Sequence, residues 1–118
     1  MPYMLLVLED PGQRKTRSPE EGRQAYARML RFTDDLKARG LRKASDSLRS
    51  QAGAVRVAVR DGKPVVRDGP FAECKEMVGG FFLLDCKTRE EAIAIAHECP
   101  AAEWATVEVR EVGTCWEE

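Results

Sequence analysis

The residue types that could act on a small molecule are concentrated in one short stretch, DGPFAECK, which begins at Asp68. The carboxylate of Asp68 could accept a hydrogen bond from a ligand or serve as a general base. The order Asp-Gly-Pro is also typical of a turn, because an aspartate side chain bonds readily to the backbone that follows it. The two roles are compatible, so we predict that Asp68 forms the turn and is the candidate catalytic residue of any acid–base reaction.

Five neighbours of that aspartate are candidate ligand contacts. Gly69 and Pro70 are expected to set the shape of the turn, whereas Phe71 could line a pocket but is favoured as a core anchor. Glu73 and Lys75 carry opposite charges and could orient a polar substrate. Taken singly, they are better explained as solvated charges, whose pairing typically stabilises a fold by about 0–1 kcal/mol.

The patterns that mark a metal site, a disulfide framework or a phosphate loop are weak or missing. The four cysteines stand at wide spacings without a CxxC pair, and His97 is the single histidine, so neither a metal nor a disulfide framework is expected. Gly79 and Gly80 lack the lysine and further glycines of a phosphate loop. A bulge or a close backbone approach at the start of a strand is the favoured explanation of that pair.

Length and composition favour one globular domain spanning residues 1–118. Hydrophobic residues make up 43% and charged residues 33%, and 19 basic residues against 20 acidic ones leave a net charge of -1. This balance provides no basis for binding nucleic acid. The apolar segment at residues 1–8 is too short for a membrane span and lacks the basic start of a signal peptide, which suggests a cytoplasmic location.

Capping and periodicity signals place the elements that would position the candidate residues. A capping box beginning at Ser18 and a glycine cap at Gly40 predict a helix over residues 19–39. A second capping box at Thr88 begins another helix, which Pro100 ends. Strands are predicted at residues 3–8, 55–60, 65–66, 80–86 and 104–112, with a tight turn at Asp61-Gly62 and a polar loop over residues 45–53.

The order strand, helix, three strands, helix and strand predicts an α+β protein, a ferredoxin-like split βαβ with an inserted hairpin. Both helices are expected on one face of an antiparallel sheet. The strand at residues 80–86 is apolar on both sides, so its second face would be left uncovered. Because an exposed apolar face marks an interface, we predict a symmetric homodimer with its two sheets packed face to face.

Several motifs resemble those of the DGPF-domain branch of the YCII-related family. They are DGPFAE from Asp68, the glycine pair before an apolar strand ending at Asp85, the hairpin VRVAVRDGK, and CPAA from Cys99. The resemblance implies a dimeric α/β barrel of the ferredoxin-like kind, with a pocket between the first helix and the sheet near the DGP turn. It also implies similarity to small enzymes such as muconolactone isomerases and a chlorinated-hydroquinone dehydrochlorinase. Members of this branch are often encoded beside extracytoplasmic-function sigma factors.

One feature of the enzyme-like members of that family is missing from this sequence. They carry a histidine in the first helix, proposed to act with the aspartate of the DGP turn, whereas residues 23–31 contain none. Arg23 and Tyr26 could supply a cation and a hydroxyl in its place, and they complete the candidate ligand-binding set.

The favoured expectation is a homodimer that binds a small molecule, with or without cofactor-independent lyase or isomerase chemistry centred on Asp68. No cofactor and no membrane partner are expected. The alternatives are a non-catalytic regulatory or interaction module linked to an extracytoplasmic-function sigma factor, and a dimeric scaffold without a ligand.

Overall fold

A computed structural model describes residues 2–116 and 118 of the protein. Three short 3-10 turns at Gln13–Thr16, Gln51–Gly53 and Pro100–Glu103 connect the longer elements. Those elements are, in chain order, β1 (Tyr3–Glu9), α1 (Pro19–Ala38), β2 (Arg42–Ser47), β3 (Val55–Arg60), β4 (Lys63–Asp68), β5 (Met77–Leu84), α2 (Arg89–Glu98) and β6 (Thr106–Glu111).

Four of the strands form one antiparallel sheet in the order β2-β5-β1-β6, and β3 pairs only with β4 in a sheet of two strands. This is the strand order of a ferredoxin-like split βαβ, into which the β3–β4 hairpin is inserted. The α+β class, the antiparallel sheet and the inserted hairpin predicted from the sequence are confirmed. No helix among the described residues has both the length and the hydrophobicity needed to cross a bilayer.

Strand β2 corrects the sequence analysis, which assigned residues 45–53 to a polar loop. The chain is extended through Ser47, and only the residues after it are irregular. The segment RKASDS holds no β-branched or aromatic residue, so its own preference does not favour a strand. Pairing with β5 sets its conformation instead, with Ala44 opposite Leu83 and Asp46 opposite Phe81. Other strand boundaries also move: β1 continues to Glu9, β4 covers residues 63–68, β5 covers residues 77–84 and β6 covers residues 106–111.

Both helices begin at the predicted caps. At α1 the capping box is complete, since Ser18 accepts from the Glu21 N–H and the Glu21 side chain accepts from the Ser18 N–H. At α2 the cap is one-sided: Thr88 accepts from the Glu91 N–H at 3.1 Å, whereas the Glu91 carboxylate accepts from Lys87. The prediction of a second capping box is therefore wrong in one of its two hydrogen bonds, because the Glu91 side chain does not accept from the Thr88 N–H.

The core lies between the two helices and one face of the sheet. Phe32 of α1 packs edge-to-face on Phe82 of β5, with ring centroids 5.1 Å apart. Burying an aliphatic or aromatic side chain of this size stabilises a fold by about 1.5–3 kcal/mol. The largest side chains with almost no exposed surface are Leu5, Leu36, Leu84, Ile95 and Cys99.

The contact between α1 and the core is limited to the C-terminal half of the helix. Phe32 and Leu36 are buried, but the apolar residues earlier in the helix are not. Tyr26 and Leu30 are 53% and 47% exposed, and Ala25 is half-buried. The N-terminal half of α1 therefore leaves space between itself and the sheet.

The opposite face of the sheet carries a second set of apolar side chains. Buried and half-buried residues alternate along β1, so Met4, Leu6 and Leu8 point away from the helices. Leu83 and Phe81 of β5, which pair with Met4 and Leu6, point the same way and are also half-buried. These five residues form what we call the open face, and they match the predicted apolar character of the central strand on both sides.

The β3–β4 hairpin extends away from the main sheet. Its turn has positive φ at Asp61 (53°) and Gly62 (75°), as the predicted tight hairpin turn requires. Val57 and Val59 are 69% and 63% exposed. The radius of gyration is 16.1 Å, larger than the roughly 13–14 Å of a compact chain of this length, as a projecting hairpin would produce.

Candidate functional site

A cavity of about 590 Å³ lies between the N-terminal half of α1 and the sheet, and we call it the α1–sheet cavity. It exists because that half of the helix does not close onto β1, β5 and β2. Apolar side chains from the strands, α1 and the 3-10 turn before β6 form much of its wall, among them Val7, Met29, Leu30, Phe82 and Trp104.

One end of the cavity carries Glu9, which is only 6% exposed and is the one buried charged residue among those described. It is the last residue of β1, and the alternation that buries Tyr3, Leu5 and Val7 turns it toward the helices. A buried carboxylate is costly unless a charge or hydrogen bonds compensate for it. The geometry around Glu9 supplies both.

Arg14 is the partner of Glu9. Its Nε lies 2.5 Å from Glu9 Oε1. The two Nη atoms of Arg14 donate to the backbone carbonyls of Leu48, at 2.8 Å, and Gly79, at 3.4 Å. One guanidinium therefore joins the end of β1, the residue after β2 and the start of β5.

The glycine pair of β5 makes room for this arrangement. A Cβ placed on Gly79 would lie 2.8 Å from Glu9 Cδ and 3.0 Å from Arg14 Nη2, and one placed on Gly80 would lie 3.0 Å from the Asp46 carbonyl oxygen. The β1–β5 register also shifts between Val7 and Leu8, opposite this point. The close backbone approach and the bulge that the sequence indicated are both present.

Positive charge predominates along the cavity, whose lining includes four basic and two acidic residues. The Arg17 guanidinium lies 5.3 Å from the centre of the Trp104 ring, and Arg42 Nε donates to Ser45 Oγ at 2.7 Å. Lys37 and Arg42 belong to the end of α1 and the start of β2, whereas Glu9 and Arg14 lie at the other end of the strands.

The two helix residues predicted to bind a ligand have different positions. Tyr26 lines the α1–sheet cavity and remains half-exposed, so its hydroxyl is accessible at the cavity's edge. Arg23 is absent from the lining and forms a surface ion pair with Glu20 at 2.9 Å. The ligand roles of both remain predictions.

The residues of the DGP turn lie at the base of the hairpin, outside the lining of the α1–sheet cavity. Asp68 is exposed at the end of β4, and the following Gly69–Pro70 peptide bond is cis. The Gly69 N–H donates to the Ala54 carbonyl at 2.7 Å, and a Cβ at Gly69 would collide with the Gln51 carbonyl oxygen. The described contacts of this turn fix the hairpin, and a ligand role for Asp68, Gly69 and Pro70 stays a prediction.

Phe71 is 2% exposed but does not belong to the main core cluster. The Arg56 guanidinium lies 3.8 Å from the centre of its ring, so Phe71 anchors the loop to β3. The sequence favoured Phe71 as a core anchor; the residue is buried, but it anchors the base of the hairpin instead of the main core.

The charged residues after Phe71 surround the same anchor. Glu73 accepts from Arg67 at 2.7 Å, and a hydrogen bond from its own backbone N–H together with that from Arg67 lowers the pKa of Glu73. Cys74 Sγ lies 2.9 Å from Arg56 Nη2, and Lys75 is exposed. These contacts do not test the ligand-binding roles predicted for Glu73 and Lys75, which stay predictions.

Two of the four cysteines, Cys86 and Cys99, are buried. Burial raises the pKa of the Cys86 and Cys99 thiols, which keeps them in the unreactive thiol form. Across residues 2–116 and 118, no three His, Cys, Asp or Glu side chains are grouped as metal ligands would be.

Glu9 and Arg14 were not among the site residues predicted from the sequence. A signal for Glu9 was present, because the run YMLLVLE places it in step with Tyr3, Leu5 and Val7 on the side of β1 that faces the helices. Arg14 carried no comparable signal, since its position depends on the 3-10 turn that returns the chain toward the sheet.

Comparisons with known proteins agree with the fold and the motifs. A family model for the YCII-related domain matches residues 1–115. The uncharacterized protein R00369 of Rhizobium meliloti (strain 1021) is 44% identical over 45 residues, which span 38% of this chain and 36% of that relative's length.

Among solved structures, the chain is similar to 5-chloro-2-hydroxyhydroquinone dehydrochlorinase (TftG) from Burkholderia phenoliruptrix AC1100, in complex with 2,5-dihydroxybenzoquinone. The TM-score is 0.57 at 17% identity, over 96% of this chain and 94% of that one. At that identity the likeness establishes a shared fold.

Proposed function

The chain belongs to the YCII-related family, and we propose that it is a homodimeric protein that binds a small molecule in the α1–sheet cavity. The observation that carries the proposal is about 590 Å³ of space with a buried carboxylate and its arginine at one end. Ligand pockets commonly enclose roughly 300–1,000 Å³, with apolar walls and a few polar groups. The α1–sheet cavity has that size and that composition.

The lining favours a flat, hydroxylated ring as the ligand. Met29, Phe82 and Trp104 offer apolar surface to a ring, and the Tyr26 hydroxyl offers a hydrogen bond at the edge. The structural neighbour TftG is in complex with 2,5-dihydroxybenzoquinone, a ring of this kind. The excess of basic side chains would also favour an acidic substituent on the ring.

If the protein is an enzyme, we expect cofactor-independent acid–base chemistry of the lyase or isomerase type. Asp68, the carboxylate predicted from the sequence, is outside the cavity lining, so a catalytic role would need an Asp68 carboxylate, from this chain or from a partner subunit, to reach the ligand. An Asp68→Asn variant that binds and converts the ligand like the wild type would remove Asp68 from the mechanism.

Ring binding can be tested by filling the cavity. We expect 2,5-dihydroxybenzoquinone to shift the backbone amide NMR signals of cavity residues in the wild type, and an Ala25→Trp variant, whose side chain would occupy the space, to lose those shifts. Ala94→Trp is the matched control, because Ala94 is an exposed helix residue outside the lining. Equal shifts in all three proteins would place binding elsewhere and contradict the proposal.

The proposed dimer partner is a second copy of the chain, packed on the open face. That face is apolar at the centre of the sheet, and a second copy presents an identical surface, as a two-fold interface needs. We expect light scattering to give the mass of a dimer for the wild type and of a monomer for Leu6→Glu. Lys87→Glu, an exposed loop position, is the control. A monomeric wild type would contradict the proposal.

A regulatory role linked to an extracytoplasmic-function sigma factor remains the alternative. It predicts co-purification of such a factor with the wild type and with Ala25→Trp alike, because the α1–sheet cavity would not be needed. If the sigma factor were lost from the Ala25→Trp variant alone, sigma-factor binding and ligand binding would both depend on the α1–sheet cavity.

A further inference from the structure

Glu9 has one carboxylate oxygen that the described residues leave unused. We propose that this oxygen accepts a hydrogen bond from a neutral ring hydroxyl, a phenol or an enol, and thereby selects the ligands of the α1–sheet cavity. This inference rests on the proposed ligand site and adds the group that discriminates between ligands there.

The two oxygens of Glu9 have different surroundings. Oε1 accepts from Arg14 Nε at 2.5 Å. Oε2 lies over Gly79, in the space that a side chain on that residue would need. Within residues 2–116 and 118, no donor makes a hydrogen bond to Oε2.

Oε2 is also not fully enclosed by the described residues. Among the described residues, Gln13 Oε1 is the one fully enclosed side-chain oxygen or nitrogen that lacks a hydrogen-bond partner. Glu9 Oε2 lacks a partner and is not in that class, so it retains accessible surface. Glu9 lines the α1–sheet cavity, and the proposal takes this surface of Oε2 to face the cavity.

The chemistry of this position restricts the ligand. An ionised carboxylate accepts hydrogen bonds and donates none, so a ligand group that meets Oε2 must carry a proton. A phenolate or enolate would bring a second negative charge against Glu9, and a methyl ether has no proton to donate. Val7 and Phe82, which line the same cavity, suit the ring that carries the hydroxyl.

A purely structural role for Glu9 predicts a different result. In that case Glu9 would serve to hold Arg14, which in turn binds the Leu48 and Gly79 carbonyls. Its loss would weaken the fold and any binding without regard to the ligand's substituents. Selectivity between two rings that differ in the hydroxyl proton therefore separates the two roles.

The test uses hydroquinone and 1,4-dimethoxybenzene as probes, titrated into the full chain and followed by backbone amide NMR shifts of cavity residues. The wild type should bind hydroquinone roughly tenfold or more tightly than the dimethyl ether, since a hydrogen bond to a charged acceptor is worth that much in affinity. Glu9→Gln should lose most of this preference. Glu90→Gln, an exposed helix carboxylate, should keep it.

A second variant covers the case in which Glu9→Gln does not fold. Glu9→Asp keeps the negative charge near Arg14 but withdraws the whole carboxylate by one methylene, so a reduced preference is expected in a folded protein. Equal binding of both probes by the wild type, or an unchanged preference in Glu9→Gln or Glu9→Asp, would overturn the role of Glu9 and leave the ligand site intact. If the wild type bound 2,5-dihydroxybenzoquinone but neither probe, the role of Glu9 alone would be overturned. If it bound none of the three compounds, both proposals would be overturned.

Discussion

The hairpin base and the α1–sheet cavity differ in how visibly the sequence marks them. The hairpin base contains the DGP turn, the most recognisable motif of the chain, and its described contacts hold Phe71, Arg56 and Gly69 in place. The α1–sheet cavity is marked by no motif, yet it encloses the buried Glu9. The difference shows that a recognisable motif, here the DGP turn, can serve to fix the conformation of a loop. The buried polar group that lines a cavity, here Glu9, can come from a strand position that no motif marks.

The largest effect is expected from Arg14→Ala, which would leave Glu9 buried without its partner. Breaking such a pair costs about 3–5 kcal/mol, and we expect the lower end because Arg14 is itself 33% exposed. Urea unfolding would measure the loss. Arg23→Ala, which breaks a surface ion pair, is the control and should cost less than about 1 kcal/mol. Equal losses of stability in the two variants would mean that the Glu9–Arg14 pair is no stronger than a surface pair.

Phe71→Ala tests the hairpin base. Removing a buried phenylalanine ring costs about 3 kcal/mol or more in a main core, but Phe71 lies outside that cluster. We therefore expect faster amide hydrogen exchange across β3 and β4, with little change in β1 or α1. Uniformly faster exchange across the whole chain would show that the hairpin and the core unfold together.

Gly69→Ala is expected to cost roughly 1–3 kcal/mol, because the new methyl group would collide with the Gln51 carbonyl and force the loop to move. Gly53→Ala is the matched control, since no atom lies within 4 Å of a Cβ placed there. Thermal unfolding of the two variants gives the comparison. A similar unfolding temperature for both variants would show that the loop accommodates the new methyl group without a loss of stability.

The smallest effect is expected from Glu73→Gln, and the direction in which its effect on stability changes with pH can be stated. The pKa of Glu73 is lowered in the folded protein, so its stabilisation is present above the ordinary glutamate pKa of about 4.3. It is lost as the pH falls through the lowered folded value. The stability difference between wild type and Glu73→Gln should therefore be seen at pH 7 and shrink as the pH falls below about 4, and a difference that grows in acid would contradict the assignment.

The elements that the sequence predicted well are those fixed by nearby residues. The cap at Ser18, the cap at Gly40 and the turn at Asp61-Gly62 depend on side chains or φ values within one or two turns of chain. Such local preferences remain unless packing opposes them. The ferredoxin-like order follows from them, because capped helices between strands restrict the connections.

What the sequence did not predict depends on how distant segments meet. Ala25 and Leu36 belong to one apolar stripe, yet only Leu36 reaches the core, since periodicity defines a helix face and not the angle at which the helix lies on a sheet. Strand β2 likewise exists through its pairing with β5. Glu9 could have been assigned to the helix side of β1 by alternation, but its pairing with Arg14 could not.

The two outer strands of the main sheet, β2 and β6, bear on how the protein behaves at high concentration. Lys43 and Asp46 on one edge, and Arg110 and Glu111 on the other, are charged and exposed. Charged side chains along a sheet margin discourage another molecule's backbone from adding to it as a further strand. We therefore expect the concentrated protein to resist fibril formation, whatever its number of subunits.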